Sequence, residues 1–418
     1  MDYSKMKPES LMMSYGYKPN LSEGSIKCPI FQTSTFVFEN AMQGKKFFEV
    51  AYGLREKEEN EELGLIYSRL NNPDLEILEN RLCLWDNAED CAVFESGMSA
   101  ITTAMMEFMK PGDLLLYSKP LYGGTDHFIN NFLKKLNIKA IGFMANDSKE
   151  DIISKINNSS RSNKLSMIHI ETPANPTNSL IDIEMCNEIK SLFSIEENQP
   201  VLSVDNTYMG PIWQHPLKHG ADIVLYSATK YIGGHSDVIA GACLGSKELI
   251  RRVKGLRTFF GNMAGPLTGW LLMRSLETLK VRMDQQAKNA VYVADFLKKH
   301  PKVEKIYYLG EKAKNGTNEE KELIKKQYAS YGAMISFDIK GGEKEAFKFL
   351  DNLKLIKLAV SLGGTESLAE HPKTMTHADV LASEKEIMYI TDKLIRISVG
   401  VENYNDLISD LSQALNSI

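Results

Sequence analysis

The sequence has no C-x-x-C pair: its five cysteines, Cys28, Cys83, Cys91, Cys186 and Cys243, stand far apart. That scatter excludes a zinc knuckle or redox dithiol of the usual spacing and leaves the thiols as reduced packing residues, in keeping with a cytoplasmic protein. No apolar run approaches the roughly 20 residues a membrane-spanning helix needs. The first twenty residues, MDYSKMKPESLMMSYGYKPN, lack the apolar core of a secretory signal. Basic residues are not in excess either, since 49 Lys and Arg face 54 Asp and Glu for a net charge of −5, so nothing is left over to track a phosphate backbone. Neither nucleic acid nor membrane is expected as a partner. What the chain does have is 418 residues with 43% hydrophobic and 25% charged, which is material for two or three globular domains with large cores.

Residues 1–64 read as an arm before the main domain, with one charge run, Arg55 to Glu62, that suits a solvated face. From Cys91 onward the pattern changes to short apolar runs ended by Gly, Pro or Ser, each followed by helical spacing. That alternation predicts an α/β fold with a mostly parallel sheet covered by helices. The predicted strands are Cys91 to Phe94, Leu114 to Tyr117, Lys139 to Phe143, Met167 to Glu171, Val201 to Asp205, Ile223 to Ser227 and Ala240 to Gly245. Apolar residues three and four apart predict helices over Met98 to Met109, Thr125 to Lys135, Lys149 to Asn157 and Ile183 to Leu192. The methionines Met98, Met105, Met106 and Met109 read as core filling on the first of these. A long amphipathic stretch from Pro266 to His300 leads to new strand-like runs, Ala333 to Ile339 and Leu394 to Val399, with helical stretches near Gly342 to Leu353 and Asn405 to Leu415. The expected division is a large domain over 65–280 and a smaller α/β domain over 281–418.

The chemistry concentrates in VLSVDNTYMGPIWQHPLKHGADIVLYSATKYIGGHSD. Asp205 closes one predicted strand and Lys230 follows the next, and open parallel sheets bind ligands beyond the carboxyl ends of their strands. An amine and an anion in one cleft suit pyridoxal 5′-phosphate, which takes a Schiff-base lysine and an acid beside its pyridine nitrogen. Its phosphate calls for backbone N–H groups at a helix start together with hydroxyls. Strand Cys91 to Phe94 followed by Glu95-Ser96-Gly97-Met98-Ser99 supplies such a turn, and Ser227 and Thr229 flank the lysine. Each feature alone has an ordinary reading, the lysine as solvent-facing and the aspartate as a helix cap. Together they answer separate needs of one ligand.

YSATKYIGGHSDVIAG resembles the lysine signature of the pyridoxal-phosphate enzymes of cysteine and methionine metabolism, which include cystathionine gamma-synthase, cystathionine lyases, methionine gamma-lyase and homoserine-ester sulfhydrylases. The resemblance extends in order through YSRLNNPDLEILENRL, ESGMSAI, LYGGT, ETPANPT, SLGGTESLAEHP and LIRISVGVE. It implies a fold type I pyridoxal-phosphate transferase-like architecture. It also implies Lys230 as the Schiff-base lysine, Asp205 as the pyridinium partner and Tyr122 as the stacking ring. Gly97, Met98, Ser227 and Thr229 would hold the phosphate, joined by Tyr67 and Arg69 of a neighbouring subunit. The resemblance thus implies a homodimer that completes each site, often doubled to a tetramer. Arg396 would clamp the carboxylate of a small amino-acid substrate, and Ser361 and Asn175 would position that carboxylate and the cofactor's ring oxygen. Glu366 would lie toward the substrate's distal end. His235, in a Gly-Gly-His-Ser loop, reads as a structural hydrogen-bonding group.

The implied reaction is γ-elimination on cystathionine or methionine with carbon–sulfur cleavage, Lys230 acting as base with Tyr122 as proton donor or acceptor. The alternative is γ-replacement on an O-acylhomoserine. Two departures bear on the choice. Gly124 stands where methionine gamma-lyases carry a cysteine, and Leu256 to Asn262 lacks their Lys-Asp pair. Both favour a cystathionine-type pocket.

Overall fold

The computed structural model describes residues 5–59, 61, 63–159, 164–196, 198–378 and 380–418. Of the charge run at 55–62, Asn60 and Glu62 fall outside them. Arg55 is clasped between Glu49 (3.1 Å) and Glu61 (2.6 Å).

All seven strands expected of the large sheet are present: β1 Asp90–Phe94, β2 Leu114–Lys119, β3 Lys139–Met144, β4 Leu165–Glu171, β5 Val201–Asp205, β6 Ile223–Ser227 and β7 Gly241–Gly245. They lie in the order β1-β7-β6-β5-β4-β2-β3. β2 through β6 pair in parallel, whereas β7 runs antiparallel to both β1 and β6. The unbroken apolar character of these strands follows from burial on both faces. Ile223 and Leu225 enter one core with Phe94 and Leu115, and Val224 and Tyr226 on the opposite face enter another.

Helix starts are chemically marked. Asn72 caps Pro73–Asp86, Ser96 caps Gly97–Phe108 and Asp182 caps Ile183–Leu192, while Ser148 and Asp151 form a capping box on Lys149–Asn158. The helix expected over Thr125 to Lys135 is not continuous. Gly123–His127 passes into one wide turn, Phe128–Phe132, and one tight turn, Leu133–Leu136. There the Asn130 amide donates to the Asp126 carbonyl (3.1 Å), a side chain competing for a backbone group.

The long amphipathic stretch is divided at Thr278 into helices Pro266–Leu276 and Leu279–Lys299. Beyond it a second sheet is formed by β8 Val303–Tyr307, β9 Met334–Ile339, β10 Lys357–Leu358, β11 Leu368–Glu370 and β12 Leu394–Ser398, in the order β10-β11-β12-β9-β8. β9 and β12 are the two strands expected there. β8 is half polar and β10 and β11 are two and three residues long, so none carries a readable alternation.

Candidate active site

Parallel register brings the carboxyl ends of β4, β5 and β6 into one row, with Glu171 opposite Asp205. Above that row a cavity of about 850 Å³ takes its walls from both sheets, including Gly97, Met98, Tyr122, Asn175, Asp205, Ser227, Thr229, Lys230, Ser361 and Arg396. The turn after β6 aims the lysine inward. Lys230 N–H donates to the Ser227 carbonyl (3.1 Å) and Gly233 N–H to the Ala228 carbonyl (2.7 Å). Lys230 Nζ donates to Ser361 Oγ at 3.1 Å. Burial, seconded by the Arg396 charge, pulls this amine below its ordinary range, with Glu370 acting the other way.

Asp205 is buried, and the Thr207 N–H donates to its Oδ1 at 3.0 Å. Burial pushes its carboxyl up, opposed by Thr207. Glu171, also buried, receives the Tyr122 N–H on Oε2 (2.7 Å) and the Asn175 N–H on Oε1 (2.8 Å). Burial, then the Asp205 charge, raises its carboxyl. Glu171 thereby ties the tyrosine loop to the asparagine loop. The Tyr122 ring, 44% exposed, stands at the cavity wall. A Cβ on Gly124 would sit 2.7 Å from that ring and 3.2 Å from Met98 Sδ, so a larger residue at position 124 would shift the ring.

At the opposite wall, the start of helix Gly97–Phe108 abuts β6 and β7. A Cβ on Gly97 would lie 2.8 Å from Ser227 Cβ, and one on Gly241 would strike the Ser96 carbonyl oxygen. This approach leaves the N–H groups of the first helical turn beside Ser227, an anion cradle made from backbone, dipole and hydroxyl. Thr229 lines the cavity too, with its hydroxyl engaged by the Ala240 backbone.

The second sheet contributes Arg396, a register partner of Glu370. Arg396 is 3% exposed and Glu370 0%. Arg396 Nη1 donates to Glu370 Oε1 (2.6 Å) and Asn175 Oδ1 (3.0 Å), Nη2 donates to the Ser361 carbonyl (3.0 Å), and Nε has no acceptor among the described residues. Tyr208 hydroxyl also donates to Asn175 Oδ1 (2.9 Å). Burial raises the Glu370 carboxyl against the pull of Arg396 and of Thr376, whose hydroxyl donates to it at 2.9 Å.

Sequence reasoning passed over Glu171, Thr207, Tyr208, Glu370 and Thr376. Glu171 offered the same signal as Asp205, an acid ending an apolar strand; the others gave none by themselves. Three expected site residues lie outside this chain's cavity lining. Arg69 donates to the Thr258 carbonyl (3.1 Å) and lies 5.7 Å from the ring centre of a 40% exposed Tyr67. The Glu366 carboxylate is taken by Ser236 and Thr365. His235 accepts or donates at the Gly233 carbonyl (2.8 Å), away from the cavity.

A tethering amine, a buried acid, a flanking aromatic ring and a helix-start anion cradle match the needs of pyridoxal phosphate piece by piece, and so define a pyridoxal-phosphate-binding α/β enzyme. The chain belongs to the Cys/Met metabolism PLP-dependent enzyme family, whose model matches residues 9–416. It is 40% identical to an L-methionine gamma-lyase of Fusobacterium nucleatum subsp. nucleatum over 94% of each chain. It is 38% identical to a cystathionine gamma-lyase of Bacillus subtilis over 99% of this chain and 100% of that one. The crystal structure of cystathionine gamma synthase from Xanthomonas oryzae pv. oryzae in complex with cystathionine superposes with a TM-score of 0.85 at 31% identity, covering 99% of this chain and 98% of that chain.

Proposed function

We propose that the chain is a pyridoxal-phosphate-dependent lyase that cleaves the carbon–sulfur bond of cystathionine or methionine by γ-elimination. We place it in the cytoplasm as a homodimer, doubled to a tetramer, with residues 1–64 as an arm reaching a neighbouring copy. The observation that carries the reading is Lys230 Nζ and Arg396 meeting at Ser361, one at its hydroxyl and the other at its carbonyl, in the cavity that also holds Asp205.

When bound, the cofactor supplies an electron sink for charge that develops on the substrate's carbons. Asp205 would hold the ring nitrogen, Tyr122 the ring face and the Gly97 turn the phosphate. Arg396 takes the substrate carboxylate with its remaining donors, a planar fork meeting a planar anion. An amine lowered by burial is a usable base near neutrality, so Lys230 Nζ would relay the α proton to the bound cofactor and, neutral again, would take a proton from the β carbon. The Tyr122 hydroxyl delivers a proton to the departing sulfur. The γ-carbon–sulfur bond breaks, and water releases a 2-oxo acid and ammonia.

The alternative, γ-replacement on an O-acylhomoserine, shares every one of these groups and is favoured by the similarity to a solved cystathionine gamma synthase. Purified enzyme incubated separately with cystathionine, methionine, and O-acylhomoserine plus cysteine distinguishes them. Formation of 2-oxobutanoate from the first two supports the lyase, and a new thioether without 2-oxo acid assigns the transferase. Lys230→Ala is expected to abolish turnover and the visible absorbance of the bound cofactor; retention of both defeats the assignment.

A further inference from the structure

Among the described residues four arginines are buried, Arg81, Arg257, Arg282 and Arg396. Arg257 Nη1 meets Glu79 and the Val93 carbonyl, both at 2.7 Å. Arg282 meets Thr278 at 3.1 Å and the carbonyls of Tyr231 (2.9 Å) and Ser275 (3.0 Å). Arg396 has donors left over and faces the active-site cavity. Arg81 is 4% exposed, its Nε donates to the Tyr15 carbonyl at 3.0 Å, and among the described residues no acceptor serves its two terminal nitrogens. A largely buried guanidinium whose terminal donors open onto a cavity without a protein acceptor is suited to meet an anion there. Burial accordingly pulls it below its ordinary range, with Glu277 opposing.

Arg81 projects from helix Pro73–Asp86 into a second cavity, about 260 Å³, enclosed between residues 13–28 and helix Pro266–Leu276. Arg274 and Lys27 add positive charge to its lining, and Lys27 neutralises Glu277 at 2.5 Å. The lining thus carries three cations against one carboxylate. The other walls are apolar and include Tyr17, Met273 and Trp270, whose indole N–H donates to the Cys28 carbonyl (3.0 Å) and so anchors the ring in the wall. The volume lies below the roughly 300 Å³ at which pockets for drug-sized ligands begin, which suits a molecule of a few carbons and excludes a nucleotide or peptide.

We propose that this cavity is a second ligand site, separate from the active site, that takes a small organic carboxylate with a short apolar chain. The carboxylate meets the terminal nitrogens of Arg81, with Arg274 at the mouth, and the chain lies along Trp270. A planar carboxylate satisfies two guanidinium donors at once, as a spherical ion does not.

Butanoate is the probe, since it has no amine to react at Lys230, and inorganic phosphate is the comparison. Butanoate titrated into holoenzyme is expected to change the Trp270 emission, identified as the component absent from Trp270→Phe. The same change is expected in Arg396→Ala, which separates this site from the active site whatever the reaction catalysed there. Arg81→Gln should weaken butanoate roughly tenfold or more, the worth of a charge-assisted hydrogen bond. Arg274 is exposed, so Arg274→Gln keeps the fold and should weaken binding several-fold, which decides the matter if Arg81→Gln does not fold. Binding that survives both variants, a preference for phosphate, or no uptake by the wild type overturns the proposal. So does a drop in oligomeric state of Arg81→Gln without ligand uptake, which assigns the arginine to a subunit contact.

Discussion

Arg396 is held by an acid as well as offered to one. Its Nη1 is committed to Glu370 in a buried pair, and breaking such a pair from one side strands the other charge at about 3–5 kcal/mol. Two effects of its removal should therefore separate. Arg396→Ala is expected to raise KM by the equivalent of about 1.5–3 kcal/mol, the worth of hydrogen bonds to a charged group, and also to lower the melting temperature. Adding Glu370→Gln should restore most of the melting temperature and none of the substrate affinity. Thermal melts and steady-state kinetics on the single and double variants check this, and recovery of KM in the double variant removes Arg396 from the carboxylate site.

At the scale of elements, the anion cradle depends on how closely a helix start approaches two strands. Gly241 in β7 lies against the Ser96 carbonyl, backbone against backbone, and neither side can rotate out of the way. Gly241→Ala is thus expected to displace the Ser96–Gly97 turn, destabilise by about 1–3 kcal/mol as overpacked sites do, and reduce cofactor occupancy. Gly255, inside helix Lys247–Phe260, is the control, because a methyl group added there meets only open space. Gly255→Ala should leave occupancy unchanged and stabilise by roughly 0.5–1 kcal/mol. Cofactor absorbance and melting temperature measure both. Equal occupancy in the two variants removes the close approach as a requirement for binding.

At the scale of the whole molecule, Tyr67 and Arg69 lie on the surface of their own chain, outside its cavity lining. On the proposed completion of each site by two copies, Lys230→Ala and Arg69→Ala subunits are expected to complement one another. A mixed dimer regains one intact site of two, so random co-assembly of two inactive variants yields roughly a quarter of wild-type activity. Activity no higher than the sum of the separate variants rules out sharing of the site.

Much of this protein was determined by its sequence alone. Strands buried on both faces are written as continuous apolar runs, and the residues that end them, Asp205 and the Ser227–Lys230 turn, occupy the one edge where such sheets bind ligands. Caps at Ser96 and Asp182 likewise act within a turn of their own position. Only the tertiary structure decided the pairings across distance: the antiparallel run of β7, Glu171 joining the loops of Tyr122 and Asn175, Glu370 opposite Arg396, and Arg81 donating to the Tyr15 carbonyl of the N-terminal segment. A group's partner, and so its charge and geometry, comes from a segment with which it shares no local pattern, and chain order does not record which segments fold together.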